Sequence, residues 1–180
     1  MTDPARQQPY HHGDLRRALV DVALKAIAEG GLGDLSLREL ARRANVSHAA
    51  PAHHFRSRSG LLTAIAAEGH HLLADELERV RGTGFTERAI AYLRFATTHP
   101  AHFSVMRAPE LCNFRDPEFL AARERAADEL LRPADRTVAL AAWALAHGLA
   151  DLLQEGNVHP APGNDAASLA RALLRHLDQA

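Results

Sequence analysis

Between Thr137 and Leu153 thirteen of seventeen residues are apolar, and on a helix they go round every face. A helix without a polar side has to be covered all the way round. The stretch falls short of the ~20 residues a bilayer core requires. It is also interrupted by His147 and Asp151, so it is poor as a membrane span. It therefore predicts a body of packed helices around it. After a loop rich in Pro, Gly and Asn at 157–164, a last helix follows, with Ala166, Leu169, Ala170, Leu173, Leu174 and Leu177 at helical spacing.

Upstream the helical period continues. Asp14 is placed to cap a first helix whose face is Leu15, Leu19, Val22, Ala23, Ala26 and Ile27, closed by Gly30-Gly31. Ser57 to about Val80 reads as a long helix with Leu61, Leu62, Ile65, Ala66, Leu72, Leu73, Leu77 and Val80 inward. At 1.5 Å per residue it spans roughly 35 Å. Thr86 to His99 shows Ala89, Ile90, Leu93, Ala96 and Thr97 on one side, and Pro100 opens a short turn through Met106. Ala108 to Asp116 is irregular. Pro117 to Arg132 is amphipathic, with Phe119, Leu120, Ala127, Leu130 and Leu131 on its apolar face, and Pro133 separates it from the next helix. Residues 1–9 are polar and aperiodic and read as a disordered arm.

Leu37 to Phe55 carries the function. Leu37, Leu40, Ala41 and Ala44 form a narrow apolar stripe, and Ser36-x-x-Glu39 is a capping box. Asn45 tolerates the left-handed conformation of a sharp turn. Ser47 offers a second N-cap, with Val46 as a staple, so a second short helix is expected from about His48 to His54. Its outward residues are His48, Ala49, Ala52 and His53, with Ala50 and Phe55 toward the core. Pro51 is tolerable only near a helix start, which supports a start at Ser47. Two short helices at a tight turn are the geometry of a helix-turn-helix, whose second helix enters the DNA major groove.

The block from Tyr10 to about Gly69 resembles the DNA-binding domain of the TetR family. The matching features are the Gly-Gly helix end, Leu37-Arg38-Glu39-Leu40-Ala41, Ala44-Asn45-Val46-Ser47, His53-His54-Phe55 and Ser57-Arg58-x-x-Leu61-Leu62. Trp143-x-x-x-His147-Gly148 resembles a C-terminal variety of the same family with a Trp…His-Gly motif. The resemblance implies an all-α fold: a three-helix helix-turn-helix domain at 1–60, then a ligand-binding and dimerising helical bundle at 61–180. Its last two helices would form a four-helix bundle with those of a second copy. The long helix at 57–80 would belong to both halves. The implied partners are double-stranded DNA with a palindromic operator, a second copy of the chain, and a small-molecule effector. The implied role is a transcriptional regulator, most often a repressor in this family.

The candidate DNA-contacting set is Ser36 and Arg38 on the first short helix, then Ser47, His48, Ala49, Ala52, His53 and His54 on the second. Ser57 and Arg58 complete it at the start of the long helix, Arg58 matching the family's basic phosphate contact. Ala52 stands where the family often has an aromatic that touches phosphate, so it is carried as an outward position only. The implied effector pocket would lie among Phe95, His102, Phe103, Met106, Phe114, Phe119, Trp143 and His147. Few charges fall on these stretches, so a largely apolar ligand is expected.

Charge supports this only through its distribution. Residues 1–60 carry nine Lys/Arg against six acids, leaving 12 against 16 in the rest. A basic reader on an acidic body fits nucleic-acid binding. One cysteine, Cys112, excludes an intrachain disulfide and a thiolate metal cluster. The His99-x-x-His102 pair is broken by Pro100, and His70-His71 point different ways, so no metal or cofactor is expected. No Ser-His-Asp order, phosphate loop or nucleophile elbow is present, so the chain is not expected to be an enzyme. The N-terminus lacks an apolar signal region, and a cytoplasmic protein without a membrane partner is expected. The alternative is a helical small-molecule or metal-sensing protein with weak or vestigial DNA binding.

Overall fold

Helices α1 (His12–Gly30), α2 (Leu37–Arg43) and α3 (Ala50–Phe55) precede a long α4 (Arg58–Arg79). Then come α5 (Phe85–Thr98), α6 (Pro100–Met106), a 3-10 turn at Pro109–Leu111, α7 (Pro117–Leu131), α8 (Arg136–Gln154) and α9 (Ala166–Leu177). The computed structural model describes residues 12–132 and 135–177, with side chains from 15 to 174; among these there is no strand. Helices account for the regular structure throughout, so the fold is all-α, as the periodicity predicts. The N-terminal arm at 1–9, the Asp14 cap, Pro133 and the Leu177 side chain lie outside the described residues. The chain divides into two compact units, with the boundary between Leu61 and Leu62. α4 begins in the first and continues unbroken into the second.

The first unit is built on a small core. Leu19, Val20, Ala23 and Ile27 of α1 meet Leu35, Leu40, Ala41, Pro51 and Phe55, each buried. The Arg16 guanidinium lies 5.5 Å above the Phe55 ring and closes one side.

In the second unit α5 is the central helix. Arg88 through Leu93, Phe95 and Ala96 are all buried, whereas Thr97, expected inward, is exposed. α8 and α9 pack against it through Ala142, Ala146, Leu149, Ala150, Ala170 and Leu174. The helix most covered by its own chain is thus α5 rather than α8. α8 leaves Val138 44%, Leu140 43%, Trp143 38% and Leu152 41% exposed. Its neighbours line only one side of it, and the apolar far side faces outward. Asp151, also on α8, lies 3.0 Å from the Arg107 guanidinium. By length and composition α8 could cross a membrane, but this ion pair and the packing on α5 make it a bundle helix.

α7 corrects another expectation. Its buried face is Phe119, Ala122, Ala126 and Glu129, while Leu120 stays 44% exposed. The inward stripe is rotated because a carboxylate, Glu129, occupies it. Glu129 is held by Arg81 and Arg132, and these guanidiniums lower its pKa against the opposing effect of its burial. α4 and α6 approach closely at Gly69, where an added Cβ would sit 2.6 Å from the Met106 sulfur.

Candidate nucleic-acid interface

The two short helices are set by local chemistry. Ser36 caps α2 by accepting from the Glu39 amide at 3.2 Å. The reciprocal half of the capping box is replaced. The Glu39 carboxylate accepts from Arg42 at 2.8 and 2.6 Å and from Arg43 at 2.9 Å, and these hold its pKa down to about 2. Two guanidiniums within one helical turn outcompete a single amide. Asn45 takes φ 52°, the left-handed turn conformation its side chain tolerates.

α3 starts later than expected. Ser47 contributes its carbonyl, accepting from the Ala50 amide at 3.0 Å, and the helix begins at Ala50 after an Ala49 cap that has no side-chain hydrogen bond. Pro51 sits in the first turn, where its missing N–H leaves no intrahelical bond unmade. It is also buried, taking the inward place assigned to Ala50, which is only half-buried.

The outward surface matches the expected one. His48, Ala49, Ala52 and His53 are exposed, as are Ser36, Arg38, Ser47 and Ser57, while His54 is half-buried. The His53 and His54 rings meet edge to face at 5.5 Å. Arg38 makes no ion pair among the described residues. Arg42, Arg43 and Glu39 form an exposed cluster on the same helix.

Arg58 departs from its expected place. Its Nε donates to the Leu35 carbonyl at 2.8 Å and its Nη2 to the Leu32 carbonyl at 2.5 Å. The guanidinium therefore ties the start of α4 to the loop between α1 and α2, since carbonyls left free by that loop are the acceptors in reach. Ser57 caps α4, accepting from the Gly60 amide at 3.0 Å. Gly60 is required there: an added Cβ would lie 2.0 Å from the Phe55 carbonyl oxygen. Arg56, between the two helices, holds φ 62°.

Two cavities open in the second unit. One, of about 190 Å³, is lined by Phe85, Arg88, Tyr92, Val138 and Trp143 among others. The second, of about 180 Å³, is lined by His70, Tyr92, Met106, Phe103, Arg123, Trp143 and His147 among others. Of the residues expected to bind ligand, Phe103, Met106, Trp143 and His147 meet at this second cavity. Phe95 is packed in the core, and His102 is buried 3.4 Å from Glu68. Phe114 is 43% exposed with its ring on Phe119, and Phe119 turns to His70. Tyr92 was missed by sequence reasoning, yet it touches both cavities. Its hydroxyl lies 2.6 Å from His147 Nδ1, and burial pushes its pKa up to about 12 against a hydrogen bond from Trp143. Burial also lowers the His70 pKa to about 4, with Arg123 and His71 adding repulsion. Cys112 is buried and its thiol pKa is raised by desolvation.

Residues 19–65 match the profile of the bacterial regulatory proteins, tetR family. Residues 85–177, half the chain, match the tetracyclin repressor-like C-terminal domain. The chain belongs to the TetR family. A solved structure from Rhodococcus sp. RHA1, a protein of unknown function, is 34% identical to this TetR-family chain. It covers 93% of this chain and 95% of that one, with a TM-score of 0.74. The TetR-family regulator PfmR from Thermus thermophilus shares the fold at TM-score 0.66 and 22% identity, over 86% of this chain and 93% of its own. The HTH-type transcriptional regulator BetI of Escherichia coli is 47% identical over 49 residues, 27% of this chain and 25% of BetI. The chain thus matches only about a quarter of the length of that curated relative.

Proposed function

We propose that this TetR-family chain is a cytoplasmic transcriptional regulator, most simply a repressor. In this reading it binds a palindromic operator as a homodimer and releases it when a small molecule occupies the C-terminal body. The observation that carries the reading is the exposed helix-turn-helix surface of His48, Ala49, Ala52, His53 and Arg38 in a chain of this family. The His48, His53 and Arg38 side chains can donate to base edges and phosphates, and the Ala49 and Ala52 methyls let the helix come close to the groove floor. Ser57 and Ser47 hydroxyls supply further phosphate contacts.

The dimer reading rests on α8 and α9. Leu140 and Leu152 flank Ala141, Ala144 and Gly148, small residues that let a second helix come close, and Leu173 continues the surface on α9. A two-fold pair places two recognition helices on successive turns of a duplex. An effector that binds one spacing of those helices better than another shifts DNA affinity by that difference.

The test is titration of fluorescent random-sequence and selected duplexes, with the Arg38→Ala and His53→Ala variants alongside. Selected DNA should bind at least about 10³-fold tighter than random DNA, and both variants should weaken it. Equal affinity for the two pools would overturn the reading and favour a ligand-binding protein with a vestigial reader.

A further inference from the structure

Arg88 of α5 is 7% exposed, lines the cavity beside Trp143, and makes no hydrogen bond or ion pair among the described residues. Its Nη2 is buried without a partner. An arginine keeps its charge at any ordinary pH, so burying it unpaired is costly. The carboxylate that acts on it through space is Glu129, itself 2% exposed. That carboxylate is already taken by Arg81 and Arg132, the latter at 2.6 Å. Arg81 also pairs with Glu78 at 3.6 Å, and both Arg81 and Arg132 are half-exposed, so the guanidinium left buried without a partner at the cavity is that of Arg88. The other walls are mostly apolar, Phe85, Ala89, Leu130, Val138, Ala142 and Trp143, with Thr83 and Tyr92 the polar exceptions and the Tyr92 hydroxyl engaged by His147.

We propose that this cavity binds a small apolar carboxylic acid, its carboxylate on the Arg88 guanidinium and its hydrocarbon body between Phe85, Val138 and Trp143. The fork of guanidinium donors matches a carboxylate edge. A cavity of about 190 Å³ suits a body of one ring or a short chain, since an apolar cavity of about 150 Å³ holds benzene. The assignment names the ligand class for the effector site and so rests on the reading of the body as an effector-binding domain.

Trp143 is the only tryptophan and lines both cavities, so its fluorescence reports occupancy of either in the full-length protein, and the Arg88 and Arg123 variants tell the two apart. Benzoate and octanoate are titrated against benzamide and octanamide, which have the same bodies and no charge. The acids should bind at least about tenfold tighter than the amides. Arg88→Met should erase that difference. Arg88→Lys should keep part of it, and Arg123→Met in the second cavity should not change it. Because Arg88→Met removes an unpaired buried charge, its Tm should equal or exceed that of the native chain, which guards against simple misfolding. Amides binding as tightly as acids, no binding of either acid at 10 mM ligand, or a loss confined to Arg123→Met would each overturn the assignment. Operator affinity is measured in parallel. Acids that bind through Arg88 yet leave DNA affinity unchanged would uphold the cavity assignment and overturn the effector reading. Release of DNA by amides as effectively as by acids would do the reverse.

Discussion

Gly60 shows how tightly single residues are set in the reader. A methyl added there collides with the Phe55 carbonyl, which is backbone and cannot swing away. Gly60→Ala should destabilise the protein by about 1–3 kcal/mol, measured by urea unfolding. His70 sets a pH dependence. Its folded pKa of about 4 lies below the ordinary 6.5, so below pH 6.5 the unfolded chain binds the extra proton. The resulting loss of stability is absent above pH 6.5 and grows as pH falls toward 4, reaching about 3 kcal/mol. His70→Leu should flatten Tm against pH in that window; an unchanged profile would show that other groups govern it. Much at this scale was legible from sequence: the Ser36 cap, the Asn45 turn and the outward histidines all follow from local rules. The roles of Arg58 and Arg88 were not. The carbonyls that hold Arg58 lie 23 and 26 residues away. A charged residue on an amphipathic helix also reads as solvated until another helix is known to cover it.

At the scale of elements, the start of α4 and the outer side of α8 make the sharpest demands. Arg58→Ala removes two charge-assisted bonds to backbone and frees the α1–α2 loop, at about 1.5–3 kcal/mol for each bond. Hydrogen exchange should quicken around Leu32 and Leu35, and Arg58→Lys, lacking the fork, should restore little of the protection. If DNA affinity falls while exchange at Leu32 and Leu35 stays native, Arg58 is a phosphate ligand after all. On α8, Leu140→Glu with Leu152→Glu puts charge on the exposed apolar side while leaving Ala146 and Leu149 on α5 untouched. Sedimentation should show conversion of dimer to monomer with helicity retained; a dimer that survives both changes would place the interface elsewhere. The existence and order of the helices were readable because 3.6-residue periodicity is strong in nearly all of them. Which helix lies at the centre was not. α8 is apolar by composition and α5 by burial, and only packing distinguishes a helix covered by its own chain from one left open on one side.

For the whole molecule, residue patterning marked a basic N-terminal stretch followed by an apolar body. It did not reveal the cavities, one lined mainly by α5, α7 and α8 and the other by residues of α4, α5, α6, α7 and α8. The cavity-lining residues thus come from helices far apart in sequence, and four of the eight aromatic, histidine and sulfur side chains expected there went instead to the core or the surface. The central claim is that two copies of α3 read one duplex together. Selection of binding sites from random DNA by the purified chain tests it most directly. Two such helices on one duplex should enrich a two-fold symmetric sequence whose half-sites are centred about 34–36 Å apart or a multiple of that. Recovery of an asymmetric single site, or of no enriched sequence at all, would contradict it.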